Sequence, residues 1–365
     1  MQITRYFVER CTLPDVDPEW KMALFAYPRN EACIVSLEAE DGTVGHGYAA
    51  AFPHLGATQD GVAQAVGRLC ERLIGRKALA IEANLATVRA GIKDSNPAKS
   101  GIDCALHDLA ANLLGVPLYQ LFGGKVRDRV PLIRILAIKS PADMADRARA
   151  LVDEGYRYVK LKVAGDLRED VDRVRAVRKA CGDGIGITVD PNQSYRANAA
   201  VRFSKRIEEY GVDLIEQPVR EDDLLGLAHV TASAGIPIEA DESASTPEQL
   251  MGLARTRSVD AVSLKVSKSG GLRNVQTMAR LCEINHLGCR MGATVGSQLL
   301  AAHALHLTAC LPNLDYACEL AEFEHLQDDP FEGLAVSDGF IEVPEEVGSG
   351  VRRRDIESRA SAMAS

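Results

Sequence analysis

Tyr158-Val-Lys-Leu-Lys-Val163, the amphipathic stretch Asp170-Val-Asp-Arg-Val-Arg-Ala-Val-Arg178 and Ile187-Thr-Val-Asp190 read as a strand, a helix and a second strand. The valines of the middle segment recur three or four apart, the spacing of one helix face, while the flanking runs are short and nearly all apolar. The unit repeats. Further apolar runs lie near 131–138, 213–217, 236–240, 260–266, 286–291 and 314–320, with helical patterning between them. Such units imply parallel strands with helical crossovers, and eight of them close into an α/β (β/α)₈ barrel. An open doubly wound sheet would carry a glycine-rich phosphate loop after its first strand, and none is present.

The region before the barrel has a different rhythm. Residues 2–13 and 31–39 read as strands, and Gly42-Thr-Val-Gly-His-Gly47 turns into a third. Helical patterns follow at about 58–75, 81–91 and 98–114, the last ending at Gly115 as a helix with a glycine stop should. Strands followed by helices indicate a small α+β domain. The expected division is therefore an N-terminal α+β capping domain over 1–125, a barrel over 126–325, and a segment over 326–365 that returns to the cap.

The chemistry lies in charges that close apolar runs. Lys160 and Lys162 are two apart on one strand and so share a face, and Lys265 ends the matching run Val262-Ser-Leu-Lys-Val266. Asp190, Glu216 and Asp241 end three other runs, at intervals of roughly 25 residues. Charges in such places are costly unless they pair with each other or with a metal. Taken singly, an aspartate after a strand is most often a helix cap. Three in successive units are a different matter. Counted along the barrel, the paired lysines fall on the second strand and Lys265 on the sixth, facing each other across the mouth, with the carboxylates on strands three, four and five between them. Active sites of such barrels lie at these strand ends. Three oxygen ligands with room for water or substrate suit Mg²⁺ or Mn²⁺ better than zinc.

Other features bound the function. A chain of 365 residues with 46% hydrophobic content can bury a large core. Its formal net charge of −9, without a basic block, argues against a nucleic-acid footprint. No apolar stretch is long enough to span a bilayer and the first ten residues lack a signal core, so a cytoplasmic protein without membrane partners is expected. The nine cysteines are scattered and include no C-x-x-C pair, as small buried residues in a reducing compartment would be. The histidines form no H-E-x-x-H or H-x-x-x-H pattern; His303 and His306 read as core or partner-facing residues. Lys268 is expected to contact structure or the Ser269-Gly-Gly271 turn rather than substrate.

Lys160-x-Lys162, Asp190-Pro-Asn192, Glu216-Gln-Pro218, Asp241-Glu242 and Lys265 with Gly270-Gly271 together resemble the enolase superfamily, and within it the muconate lactonizing enzyme subgroup of the mandelate racemase/muconate lactonizing enzyme family. The resemblance covers nearly the whole chain. It implies Mg²⁺ held by Asp190, Glu216 and Asp241, with Asn192 and Glu242 supporting them. It also implies Lys162 and Lys265 as acid/base groups on opposite sides of the substrate, with Lys160 tuning Lys162. A lysine acting as base must be neutral, so its pKa must fall below the ordinary value near 10.4; the Lys160 ammonium and the cation both push it down.

The subgroup includes racemases and epimerases, cycloisomerases, and β-eliminating synthases or dehydratases on one frame. The substrate is expected to be a small carboxylate and the protein a homo-oligomer. Racemisation or epimerisation of an amino-acid derivative (N-acyl amino acid, dipeptide or proline-like) is favoured over muconate-type cycloisomerisation or elimination, and a non-catalytic metal- and anion-binding barrel is the remote alternative. Specificity in the subgroup comes from a cap loop and the eighth strand. The loop at about 14–30 carries Trp20, Lys21, Phe25, Tyr27 and Arg29, with Trp20 expected over the barrel mouth and Lys21 or Arg29 meeting an anionic group. The eighth-strand region reads Tyr316-Ala-Cys-Glu-Leu320 and lacks the Asp-x-Asp of dipeptide epimerases. Glu319 resembles the single glutamate of the cycloisomerases and could also bind a cationic nitrogen. Pro191 stands where small residues are commoner.

Overall fold

The computed structural model describes residues 1–23, 28–293 and 295–354. β1 (Ile3–Pro14), β2 (Arg29–Ala39) and β3 (Val44–Ala50) form an antiparallel meander in that order. α1 (Gln59–Cys70), α2 (Ile81–Arg89) and α3 (Asn96–Leu114) follow. The alternation of β2 divides its side chains between two cores. Cys33, Val35 and Leu37 pack with the cap helices, whereas Ala32 and Ile34 join the cluster that continues into the barrel. α3 lies directly on β3, and the glycines of the Gly42–Gly47 turn explain how. A Cβ on Gly47 would stand 1.9 Å from the Gly101 carbonyl oxygen, so any side chain there would push the helix off the strand. The helix ends, as its sequence implies, on Gly115 in the left-handed conformation (φ 66°).

The barrel begins after β4 (Arg129–Pro131). Its elements are β5 (Arg134–Leu136), α4 (Pro141–Asp153), β6 (Tyr158–Lys162), α5 (Leu167–Cys181), β7 (Gly186–Asp190), α6 (Ala197–Ile207), β8 (Leu214–Glu216), α7 (Leu224–Ser233), β9 (Ile238–Ala240), α8 (Pro247–Thr256), β10 (Ala261–Leu264), the one-turn α9 (Val266–Ser269), α10 (Leu272–Asn285), β11 (Gly288–Met291) and α11 (Gln298–Cys310). β5 to β11 pair in sequence order, all parallel. Local chemistry starts several of the helices. Asp166 caps α5 by accepting from the backbone N–H of Arg168 and Glu169, and Thr246 with Gln249 forms a capping box on α8. Val174 and Val177 of α5 are buried, as their spacing requires.

Two expected strands differ in the structure. The single run 131–138 is divided: β4 turns away to pair with β14 (Phe340–Glu342), and only β5 enters the barrel. The run 314–320 makes one isolated bridge, Leu132 to Cys318, rather than a full strand. It still closes the barrel, because Glu319 N donates to Met291 O (2.9 Å) on one side and Ile133 N to Cys318 O (3.0 Å) on the other. In the tail, β12 (Phe331–Glu332) pairs with β15 (Arg352–Arg353), and β13 (Val336–Ser337) pairs with β14. Ser349 N donates to Asp108 Oδ1 on α3 at 2.8 Å, tying the tail to the cap. Eight of the nine free cysteines are buried. Among the described residues no helix is long and apolar enough to cross a membrane.

Candidate active site

The ends of β6 to β10 converge where the charge pattern places them. Lys162 is in register with Asp190 on the neighbouring strand, and its Nζ donates to Asp190 Oδ2. Lys160, two residues earlier, is wholly buried. Its Nζ lies 3.0 Å from Asp190 Oδ2, 2.5 Å from Glu216 Oε2 and 2.8 Å from Glu319 Oε1. Across the mouth, Lys265 Nζ donates to Asp241 Oδ2 at 2.5 Å. Lys268, expected to contact structure, is bound to the same carboxylate, with Nζ 2.6 Å from Oδ1. The cause is α9: a turn of helix after the strand carries residue i+3 back to the face of residue i.

Beneath this rim lies a guanidinium that the sequence reading did not single out. Arg290 on β11 is fully buried, and its Nε stands 3.0 Å from Glu239 Oε1. Its Nη1 and Nη2 reach Glu319 and Glu216. Glu239 precedes Asp241 by two, so it shares that residue's face just as Lys160 shares that of Lys162, a parity that could have found it. Gln217 is a further supporting residue. It has a positive φ of 35°, and its Oε1 accepts from Asp241 N (2.9 Å) and Ser243 N (3.1 Å), fixing the turn that presents Asp241.

These contacts set the titration of the cluster. Burial opposes charge on Lys160 and Lys265, but the carboxylates around them outweigh it and hold both ammonium groups above the usual lysine range. For Lys265 the chief cause is Asp241, which pairs directly with it. Burial likewise opposes ionisation of Asp241, yet Lys265 and Lys268 hold its carboxyl well below the ordinary range. Glu242 goes the other way, raised to about 7 by burial and by the charge of Asp241.

Several oxygens in this cluster lack partners. Glu216 Oε1, Asn192 Oδ1 and Glu242 Oε2 are buried without a hydrogen bond among the described residues. Such orphans carry a desolvation cost unless a cation or water meets them. With Asp190 and Asp241 they form an all-oxygen donor set that could hold a divalent cation of the Mg²⁺ type. As the side chains stand, no three His, Cys, Asp or Glu among the described residues converge on one point. Asp190 is paired with Lys162 and Asp241 with Lys265.

Above the cluster is a cavity of about 610 Å³. Lys162, Lys265, Lys268, Asn192, Asp241, Glu242 and Glu319 line it from the barrel, and Trp20, Met22, Phe52 and His54 line it from the cap. Lys160 lies under the floor and does not line it. Trp20 is buried against the cavity, whereas Lys21 is exposed and does not line it. Arg29 reaches the rim but pairs with Glu31 at 2.8 Å. Phe25 and Tyr27 lie outside the described residues. Glu319 reaches the cavity with both oxygens already engaged, Oε1 by Lys160 and Arg290, and Oε2 by Ala293 N at 3.0 Å. His54 was not anticipated; burial, with the charges of Lys265 and Lys162, lowers its pKa to about 4.

Comparison with known proteins matches both parts of the chain. Residues 143–356 match the family described as Enolase C-terminal domain-like, and residues 8–123 match the Mandelate racemase / muconate lactonizing enzyme, N-terminal domain. The chain is 31% identical to the L-Ala-D/L-Glu epimerase of Bacillus subtilis over 362 residues, covering 96% of this chain and 97% of that one. It is 35% identical to a chloromuconate cycloisomerase of Delftia acidovorans over 287 residues, 78% of this chain and 77% of that protein. A dipeptide epimerase from Enterococcus faecalis, solved with Mg and the dipeptide L-Leu-L-Tyr, superposes with a TM-score of 0.93 at 28% identity, covering 97% of this chain and 100% of that one.

Proposed function

The chain belongs to the enolase superfamily, in its mandelate racemase/muconate lactonizing enzyme family, and from that premise we propose that it takes the proton α to the carboxylate of a small substrate and returns it to the opposite face, racemising or epimerising an amino-acid derivative. One observation carries the reading. Lys162 and Lys265 come from the second and sixth barrel strands, and both line the same cavity. Two amines on opposite sides of one carbon can each serve one enantiomer.

We assign Asp190, Glu216 and Asp241 as the ligands of a divalent cation, supported by Asn192 and Glu242. When bound, that cation, Mg²⁺ here with Mn²⁺ as a substitute, supplies positive charge to the substrate carboxylate as the α-carbon loses its proton. The side chains do the rest. Lys162 and Lys265 hold and move the proton at their Nζ atoms. Asp241, which keeps Lys265 protonated in the structure, is among the carboxylates assigned to the cation. Lys160, bound to three carboxylates below the floor, sets the local charge without touching substrate. Trp20 and its neighbours close the cavity from the cap, which we place at residues 1–125, and exclude water.

Cycloisomerisation or β-elimination on the same lysines is the second reading, favoured by the eighth-strand region, where Glu319 stands without an Asp-x-Asp. The engaged oxygens of Glu319 speak against a direct contact with a cationic substrate nitrogen. A panel of N-acyl amino acids, dipeptides, proline derivatives and muconates incubated with enzyme and Mg²⁺ in D₂O tests the choice. Deuterium entering the α-position of both enantiomers or epimers supports the first reading. Consumption of a muconate or loss of a β-substituent, without such exchange, replaces it by the second.

A further inference from the structure

The turn that carries Lys265 is held from outside the barrel. After β10 the chain passes through Lys265 into α9, which stops at Gly270 (φ 79°) and Gly271 (φ 125°). α10 then starts at Leu272 with no capping side chain of its own. The end of one helix and the start of the next leave backbone groups that need partners. Asn274 of α10 meets one, donating to Ser269 O at 2.7 Å, and α3 of the cap supplies partners for two more. Asp103 Oδ1 accepts from Leu272 N at 2.9 Å, and Asn96 Nδ2 donates to Lys268 O at 2.8 Å.

The fit between the two parts is close. A Cβ on Gly271 would lie 2.4 Å from Asp103 Cγ, so a glycine at this place lets α3 approach the turn. Asp103 is buried, and His107 Nδ1 stands 3.1 Å from its Oδ1. Asn96 follows two successive non-glycine residues in the left-handed region, Asp94 (φ 56°) and Ser95 (φ 55°), at the head of α3. Within the turn, Ser269 N donates to Lys265 O (3.1 Å) and Gly271 N to Val266 O (3.0 Å), bonds that tie its two ends together. Lys162 is held differently, inside β6, whose backbone partners are β5 and β7.

We propose that Asp103 and Asn96 are positioning residues for Lys265: the cap fixes one of the two lysines, and with it the chemistry on one face of the substrate, without touching the substrate. This inference rests on the two-lysine reading above. A displacement of about 1 Å at a reacting group can cost on the order of 10²-fold in rate.

The variants that test it are Asn96→Ala, Asp103→Ala and the conservative Asp103→Asn, whose amide oxygen can still accept from Leu272 N. Backbone amide hydrogen exchange, read by mass spectrometry without substrate, is expected to accelerate in residues 265–272 of both alanine variants. It should stay at the wild-type level in residues 158–163 and be restored in Asp103→Asn. With saturating Mg²⁺, α-proton exchange in D₂O should slow on the order of 10²-fold for the enantiomer that Lys265 serves and keep its wild-type rate for the other. Unchanged protection of residues 265–272, or equal slowing of both enantiomers, overturns the proposal. If the wild type exchanges only one enantiomer, the two-lysine reading fails, and the amide measurement alone decides the clamp. If Asp103→Ala does not fold, Asn96→Ala, which removes one half-buried hydrogen bond, carries the test.

Discussion

Lys160 Nζ stands 2.8 Å from Glu319 Oε1, a contact that spans 159 residues of chain and joins the second barrel strand to the stretch that closes the barrel. The pair is buried, and Arg290 shares the same carboxylate. Removing Glu319 would leave two cations deprived of one of their counter-charges. Glu319→Ala should therefore destabilise the protein by about 3–5 kcal/mol, the range for breaking a buried pair by deleting one partner. Urea unfolding of the metal-free protein measures it. A wild-type midpoint would mean that Glu319 is no structural counter-ion.

Glu216 gives the cation a specific signature. Its Oε1 is buried without a partner among the described residues, so an ion that meets it binds the folded chain and not the unfolded one. Mg²⁺ at ~100 times its dissociation constant should add about 2.7 kcal/mol of stability, and Glu216→Gln should remove most of that gain. An equal rise of the thermal midpoint in wild type and variant would show that the ion binds elsewhere.

Trp20, the only tryptophan, reports on the cavity it lines. Its burial against the barrel mouth predicts a fluorescence change when an unreactive substrate analogue saturates the site. A spectrum unmoved by saturating ligand, with binding shown independently by calorimetry, would contradict its position over the substrate.

His306 makes stability depend on acid. Its Nε2 contacts Ser349 O at 3.0 Å, while Nδ1 is buried without a partner among the described residues, so protonation places an unmatched N–H⁺ in the core. Burial lowers its pKa from 6.5 to about 4. Between these values the unfolded chain binds more protons than the folded one, so stability falls as pH falls from about 6.5 toward 4, by up to about 1.4 kcal/mol per pH unit for this group. His306→Gln should flatten that slope. An unchanged slope between pH 6.5 and 4 would assign the acid sensitivity to other groups.

Much of this site was legible because its charges interrupt apolar strands, where a lysine or carboxylate has few structural excuses. Lys160, Lys162, Lys265, Asp190, Glu216 and Asp241 all stood out on that ground, and strand parity placed the paired lysines on one face. The same parity applied to Glu239 and Asp241 would have revealed Glu239, and Arg290 is a charge in the middle of the buried run Cys289-Arg-Met291. Lys268 was expected to contact structure and does, but its partner Asp241 was not legible because the pattern gave no sign that a single helical turn follows β10. The loop residues were hardest, since nothing local decides whether Lys21 or Trp20 faces the barrel. The eighth strand, expected at 314–320 like the others, is a stretch joined by individual hydrogen bonds rather than a ladder.

The central claim is that Lys162 and Lys265 act from opposite faces of one carbon. It is tested most directly by following α-proton exchange in D₂O separately for each enantiomer of a turned-over substrate, in wild type, Lys162→Ala and Lys265→Ala. The account predicts that each variant abolishes exchange of one enantiomer, a different one in each case, while the other still exchanges. If Lys265→Ala leaves exchange of both enantiomers and all turnover intact, Lys162 works alone and the two-base account is wrong.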